Sequence, residues 1–168
     1  MNILETERLT LRQFTIDDAE FILELVNEPS FIQNIGDRGV RSLEDAVKYI
    51  ETGPVASYTR NGFGLYLVQL IESGESIGMC GLIKREALED VDIGYAYLPR
   101  FWSKGYAFES ALAVKEQARS LGLKRLVAIT DPTNTGSIRV LEKLRLKFEK
   151  FVKLSAEDIE LKLFGTDL

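Results

Sequence analysis

Histidine is absent from this chain of 168 residues. That removes His-based catalytic triads, His-rich zinc sites and imidazole general bases together. The single cysteine, Cys80, cannot form an internal disulfide, and it fits a reducing cytoplasm. It lies in the apolar run Ile77-Gly78-Met79-Cys80-Gly81-Leu82, where a thiol reads as a buried inert group rather than a nucleophile. No Gly-x4-Gly-Lys-Ser/Thr occurs, which argues against a P-loop nucleotide hydrolase. No apolar run approaches the ~18 residues of a membrane span. The acidic start Met1-Asn2-Ile3-Leu4-Glu5-Thr6-Glu7 lacks the apolar core of a secretory signal. Positive charge is in deficit, with 21 Lys and Arg against 26 Asp and Glu and a net charge of −5, which argues against a nucleic-acid surface. Acid–base chemistry is left to carboxylates, Ser, Tyr, Lys, Cys80, water and the backbone, and no metal is expected.

What remains is an ordinary globular composition, 45% apolar and 28% charged. Length alone places residues 1–168 in one domain. Leu4 to Phe14 reads as a first strand, with Leu9 and Leu11 alternating with polar neighbours. Thr15-Ile16-Asp17-Asp18 has the form of a capping box and starts a helix that stops before Pro29. Residues 28–41 read as a loop. Ser42 caps a second helix, which Gly53-Pro54 is expected to break. Strands follow at 64–71, 77–84 and 91–98, the first two joined by a turn at Ser73-Gly74-Glu75-Ser76. Ala107, Ala111, Val114, Ala118 and Leu121 then form the inner face of a long helix, which Gly122 ends. A strand at 126–130, a helix at 134–144 and a hairpin of 148–154 with 159–164 close the chain. This order suits a mixed sheet with helices on both faces.

The most informative stretch is Tyr97-Leu98-Pro99-Arg100-Phe101-Trp102-Ser103-Lys104-Gly105-Tyr106-Ala107-Phe108-Glu109-Ser110-Ala111. It reads as a strand end, a proline-containing loop and an abrupt helix start. Gly105 lets a ligand approach the backbone. The first N–H groups of a helix lack partners within it, and with the helix dipole they favour phosphate groups. Ala107 keeps that surface low, and Lys104 adds positive charge.

The run Trp102-Ser103-Lys104-Gly105-Tyr106-Ala107-Phe108-Glu109-Ser110-Ala111 resembles motif A of the GNAT acetyltransferase superfamily. More narrowly, it is similar to the ribosomal-protein-alanine N-acetyltransferase (RimJ/RimL-like) branch, with Ser103 in place of the usual Gly. A second segment, Asn134-Thr135-Gly136-Ser137 continuing to Glu142-Lys143-Leu144, resembles the family's Asn-x-x-Ser-x-x-x-x-Glu-Lys-Leu. Arg145 stands where the branch usually has Gly, a strained position if its φ is positive. Leu141 stands where many members have a Tyr. The strand Asp92-Ile93-Gly94-Tyr95 resembles the family's acidic-Ile-Gly-Tyr strand.

The resemblance implies an α/β (α+β) GNAT fold, with one mixed, mostly antiparallel sheet flanked by about four helices. It implies acetyl-CoA bound between two splayed strands, on Tyr97, Leu98, Trp102, Ser103, Lys104, Gly105, Tyr106, Ala107, Asn134 and Ser137. Ser137 would protonate the departing thiolate. Asp92 would act as a water-assisted base or anchor the amine, and the other reading is a solvent-facing strand carboxylate. In isolation Asn134 reads as an N-cap, and the helix dipole alone explains Glu109. Trp102 and Phe101 suit either the core or the coenzyme. Phe31, Asn34, Asp37 and Arg38 would edge the acceptor side.

The acceptor is bounded by pKa. About one α-amine in ten is neutral near pH 7, against well under one lysine in a thousand. A site without histidine thus suits the α-amine of a protein or peptide. A small-molecule amine such as a polyamine, amino acid or aminoglycoside is the alternative acceptor, and a non-catalytic acyl-CoA-binding module is the rival class. The C-terminal hairpin could support a homodimer.

Overall fold

The structure is a computed structural model and describes residues 2–168. Its strands are β1 (Asn2–Glu5), β2 (Leu9–Arg12), β3 (Leu65–Leu70), β4 (Ser76–Ile83), β5 (Asp92–Tyr97), β6 (Arg125–Thr130), β7 (Lys147–Val152) and β8 (Leu161–Asp167). Its helices are α1 (Ala19–Val26), α2 (Pro29–Asn34), α3 (Leu43–Ile50), α4 (Ala56–Asn61), α5 (Tyr106–Ser120) and α6 (Thr135–Lys143). Among the described residues the strands form one sheet in the order β1-β2-β3-β4-β5-β6-β8-β7. Every neighbouring pair is antiparallel except β5 with β6, which is parallel. This is the mixed, mostly antiparallel sheet that the sequence implies.

Alternation along the central strands divides the interior. Tyr66 and Val68 of β3 join a core with Ala111, Val114 and Ala118 of α5 and Leu141 of α6. Leu65 and Leu67 face a second core built on Ile22 and Leu25 of α1 and Ala46 and Ile50 of α3. Leu121, expected on the inner face of α5, is half-exposed and lies just past the helix end. The apolar spacing carries on for one position after the helix has stopped.

Two helix starts form as their residues dictate. Thr15 and Asp18 exchange the reciprocal hydrogen bonds of a capping box, and Asp18 also receives both Nη groups of Arg12 at 2.8 and 2.9 Å. Ser42 Oγ accepts from the Asp45 N–H at 3.1 Å.

Three further expectations need correction. The first strand is two strands, because Thr6 turns the chain: its N–H donates to the Leu9 carbonyl at 2.8 Å and its hydroxyl oxygen accepts from the Leu9 N–H at 3.1 Å. Residues 29–34 of the expected loop form α2, with Pro29 in the first turn, where its missing N–H costs nothing. Gly53-Pro54 does not end the second helix. Residues 51–55 widen into a π-type turn that accommodates Pro54 and passes the chain on to α4.

Candidate active site

The sheet opens between β5 and β6. Their parallel pairing is confined to Asp92 opposite Val127, where the Val127 N–H donates to the Val91 carbonyl at 3.1 Å. Beyond that point the strands diverge toward their carboxyl ends, each followed by a loop and a helix. The starts of α5 and α6 therefore flank one cleft, and backbone groups along its walls are left without a strand partner.

The loop leading to α5 is shaped by left-handed residues. Ser103 has φ 62°, and Gly105, the N-cap of α5, has φ 84° and no side chain to cap the helix. The first-turn N–H groups of Tyr106 and Ala107 thus start a long helix without internal partners. A Cβ at Gly105 would come within 3.3 Å of Arg8 Nη2. Trp102 is 48% exposed, and its indole N–H donates to the Tyr97 carbonyl at 2.8 Å, pinning the loop. Lys104 is exposed, and Ala107 is partly buried against the first core.

Tyr97 and Leu98 face the other way. The Tyr97 ring is buried, with its hydroxyl bonded to Ser110. Leu98 is fully buried in the second core, and its N–H donates to the Ile77 carbonyl at 3.0 Å. Neither side chain is free to meet a ligand, so a contact from either would be made by the main chain.

A buttress that the sequence does not announce supports this loop. Glu109 of α5 accepts from Thr6 Oγ1 at 2.7 Å, from the Arg8 N–H at 2.9 Å and from Arg8 Nε at 2.7 Å. Arg8 Nη1 donates to the Lys104 carbonyl at 3.0 Å, and the guanidinium lies 4.5 Å from the centre of the Tyr106 ring. Burial would raise the Glu109 carboxyl, but the hydrogen bonds from Thr6 and Arg8 hold it below its ordinary value. The helix dipole is thus not alone in fixing Glu109.

On the α6 side, Asn134 is the N-cap, and its Oδ1 accepts from the Ser137 N–H at 3.2 Å. The amide nitrogen of Asn134 remains available to a ligand. Ser137 lies in the first turn, with Oγ 3.0 Å from Tyr95 Oη. Leu141 is buried in the core, where it carries no exchangeable proton.

Asp92 sits where the two strands part. It is 1% exposed, and so is not a solvent-facing carboxylate. Arg85 Nε reaches its Oδ2 at 3.3 Å, while Oδ1 has no hydrogen-bond partner. Burial outweighs Arg85 and pushes this carboxyl up to about 6. A carboxylate so placed can take and release a proton near neutrality. Cys80 is buried, and burial pushes its thiol up to about 12 despite hydrogen bonds from Ser110 and Tyr97, so it is no nucleophile.

Of the residues expected to edge the acceptor side, Phe31 is buried in the second core. Asp37 is tied to Arg41 at 2.5 Å and to the Gly39 N–H at 2.8 Å. Arg38 is exposed and Asn34 half-buried. Sequence reasoning missed Thr6, Arg8 and Arg85 as members of this region and gave Tyr95 and Ser110, inside the quoted motifs, no role of their own; the topology supplies what brings them together.

The arrangement is suited to a long ligand with an anionic middle: a helix start bare of side chains, a cleft with unpaired backbone, and the Ser137 hydroxyl on its α6 side, with the Asp92 carboxyl buried where the strands part. Comparison with known proteins agrees. Residues 8–147 match the family model described as acetyltransferase (GNAT) domain. An uncharacterized N-acetyltransferase of Bacillus subtilis (strain 168), YoaA, is 31% identical over 88% of this chain and 83% of its own. An acetyltransferase from Agrobacterium tumefaciens str. C58 superposes with a TM-score of 0.81 at 26% identity, over 97% of this chain and 92% of its own. RimL, a ribosomal L7/L12 alpha-N-protein acetyltransferase solved with coenzyme A, superposes with a TM-score of 0.86 at 19% identity, over 100% of this chain and 98% of its own. The chain belongs to the GNAT acetyltransferase family and is an acetyl-CoA-dependent N-acetyltransferase.

Proposed function

We propose that this enzyme transfers the acetyl group of acetyl-CoA directly to the α-amine of a protein or peptide N-terminus. The observation that carries the choice of acceptor is Asp92, a buried carboxyl held near 6 with one free oxygen. An α-amine titrates near ~7.7–8.0 and a lysine near ~10.4. Moving a proton to such a base costs about 2.5 kcal/mol from the first and about 6 kcal/mol from the second. The fold of a ribosomal-protein N-terminal acetyltransferase supports the same acceptor.

In this reading residues 103–107 hold the pyrophosphate on main-chain N–H groups, and Asn134 donates its free amide to the pantetheine arm. A β5 N–H polarises the thioester carbonyl. Acetyl-CoA supplies an activated acyl group with a good leaving thiolate. Asp92, through a water, takes the proton of the attacking amine, whose nitrogen bonds to the carbonyl carbon. As the C–S bond breaks, Ser137 donates to the departing sulfur. Residues 1–168 act as one domain in the cytoplasm.

A second copy of the chain completes the assembly at the outer strand β7. Pairing of β7 with its copy would cover Phe148 and Phe151, whose rings pack edge to face on each other and are 47% and 50% exposed in the single chain. Light scattering should give twice the chain mass.

The test is a transfer assay with peptides of free N-terminus, the same peptides blocked at the α-amine but bearing lysine, and polyamines. Only the free N-termini should be acetylated; faster transfer to polyamines would make the acceptor a small-molecule amine. Ser137→Ala should lower turnover roughly ten- to a thousand-fold, and an unchanged rate would remove that role. Ala107→Trp should abolish acetyl-CoA binding in calorimetry while the chain stays folded.

A further inference from the structure

Tyr95 lies on the wall of the cleft and belongs to no part of the machinery assigned so far. It leaves β5 on the face of α5 and α6, with its ring packed partly buried against the first core. β5 and β6 have already separated there, since their pairing ends at Asp92 and Val127. The Tyr95 hydroxyl bridges to α6 beyond that separation, 3.0 Å from Ser137 Oγ and 3.2 Å from the Ser137 carbonyl oxygen. Burial pushes its phenol above the ordinary value, so it keeps its proton throughout the neutral range.

Counting protons shows what this contact does. The carbonyl of Ser137 can only accept, so Tyr95 must be the donor in that bond. Tyr95 has a single proton. When it goes to the carbonyl, Ser137 directs its own proton onto Tyr95 Oη, and every group is satisfied with the cleft empty. When Tyr95 instead donates to Ser137 Oγ, the Ser137 proton is released toward the cleft. The main chain of Ser137 does not move between the two states, because its N–H is held by Asn134. The switch is a rotation of two hydroxyl protons, with no cost in side-chain rearrangement.

We propose that Tyr95 is a positioning residue for the transfer step, which orients the Ser137 hydroxyl so that its proton points at the departing sulfur. The inference rests on the acetyl-transfer reading above. Tyr95 itself does not touch the reacting atoms. By donating to Ser137 Oγ it turns the Ser137 proton away from itself and toward the sulfur, and as the C–S electron pair passes to sulfur the hydrogen bond from Ser137 stabilises the thiolate.

The experiment is Tyr95→Phe, which keeps the ring and removes one oxygen, studied beside Ser137→Ala and the double variant. Thermal melting confirms that each is folded. For Tyr95→Phe we expect acetyl-CoA affinity in calorimetry within about twofold of the native chain and kcat lower by roughly tenfold, the worth of one hydrogen bond. The double variant should be no slower than Ser137→Ala alone, within about twofold, because the two hydroxyls act as one unit. A second measurement needs no acceptor: the thiol of bound coenzyme A is titrated by its thiolate ultraviolet absorbance. Tyr95→Phe and Ser137→Ala should raise its apparent pKa by similar amounts.

Unchanged kcat in folded Tyr95→Phe, losses that multiply in the double variant, or a bound thiol that titrates alike in all chains would each overturn the proposal. A raised KM with native kcat would overturn it too, by making Tyr95 part of the wall only. Failure of the native chain to bind acetyl-CoA is a separate result, seen before any variant is made, and it would overturn the transfer reading itself.

Discussion

Arg145 and Gly122 occupy the same place in two helices and meet it with different chemistry. At the end of α5 the Leu123 N–H donates to the Ala118 carbonyl at 3.2 Å and the Gly122 N–H to Arg119 at 3.0 Å, with Gly122 at φ 83°. At the end of α6 the Leu146 N–H donates to Leu141 at 3.0 Å and the Arg145 N–H to Glu142 at 3.0 Å, with Arg145 at φ 72°. Both are Schellman ends, and one carries a Cβ in the left-handed region. Arg145→Gly should therefore stabilise the chain by about 1 kcal/mol, read as a higher urea midpoint; an unchanged midpoint would show that Arg145 makes up the strain elsewhere. The amino-acid sequence alone marks this position, and Ser103 with it, because each replaces a family glycine; both residues are left-handed in the fold. The Asn134 cap is legible from local spacing. Arg8 is not: its bonds to Lys104 and Glu109 span 96 and 101 residues, and no local pattern encodes them.

Among the elements, β4 shows how close the central strands lie. A Cβ built at Gly81 would come within 2.0 Å of the Gly64 carbonyl oxygen and 2.7 Å of Leu65 Cα, both backbone atoms with no freedom to yield. Gly81→Ala should lower stability by about 1–3 kcal/mol or more, seen as a loss of thermal midpoint, whereas Gly136→Ala, whose Cβ would meet only Asn134 Oδ1 at 3.8 Å, should be near neutral. The strands and long helices follow from apolar periodicity, which reports a buried face directly. The turn at Thr6, the widened turn at 51–55 and the short α2 do not. Each is settled by side-chain-to-backbone bonds or by packing onto the second core, and the pattern of apolar residues is silent on both. The separation of β5 from β6 is likewise invisible in either strand alone, since it is a relation between them.

For the molecule as a whole, Asp92 links protonation to folding. Its carboxyl lies near 6 when folded against an ordinary 3.8. Between roughly pH 4 and 6 the folded chain holds a proton that the unfolded chain gives up, so this residue's contribution to stability falls as pH rises through that window, by up to about 3 kcal/mol. The difference in urea midpoint between the native chain and Asp92→Asn should therefore widen, in favour of the variant, from pH 4 to pH 7. A constant difference would place the Asp92 carboxyl at its ordinary value. Catalysis by Asp92 as a base would gain over the same rise in pH, so the range that would favour that role is the range in which this residue weakens the fold.

The tie between Arg8 and the start of α5 makes the loop of residues 102–107 a joint product of distant parts of the chain. A fragment that begins after β2 would retain every residue from Trp102 to Ala107 and still lack Thr6 and Arg8, the groups that hold Glu109 and the Lys104 carbonyl in place. During synthesis the opening residues leave the ribosome long before the loop they support, and they wait for it.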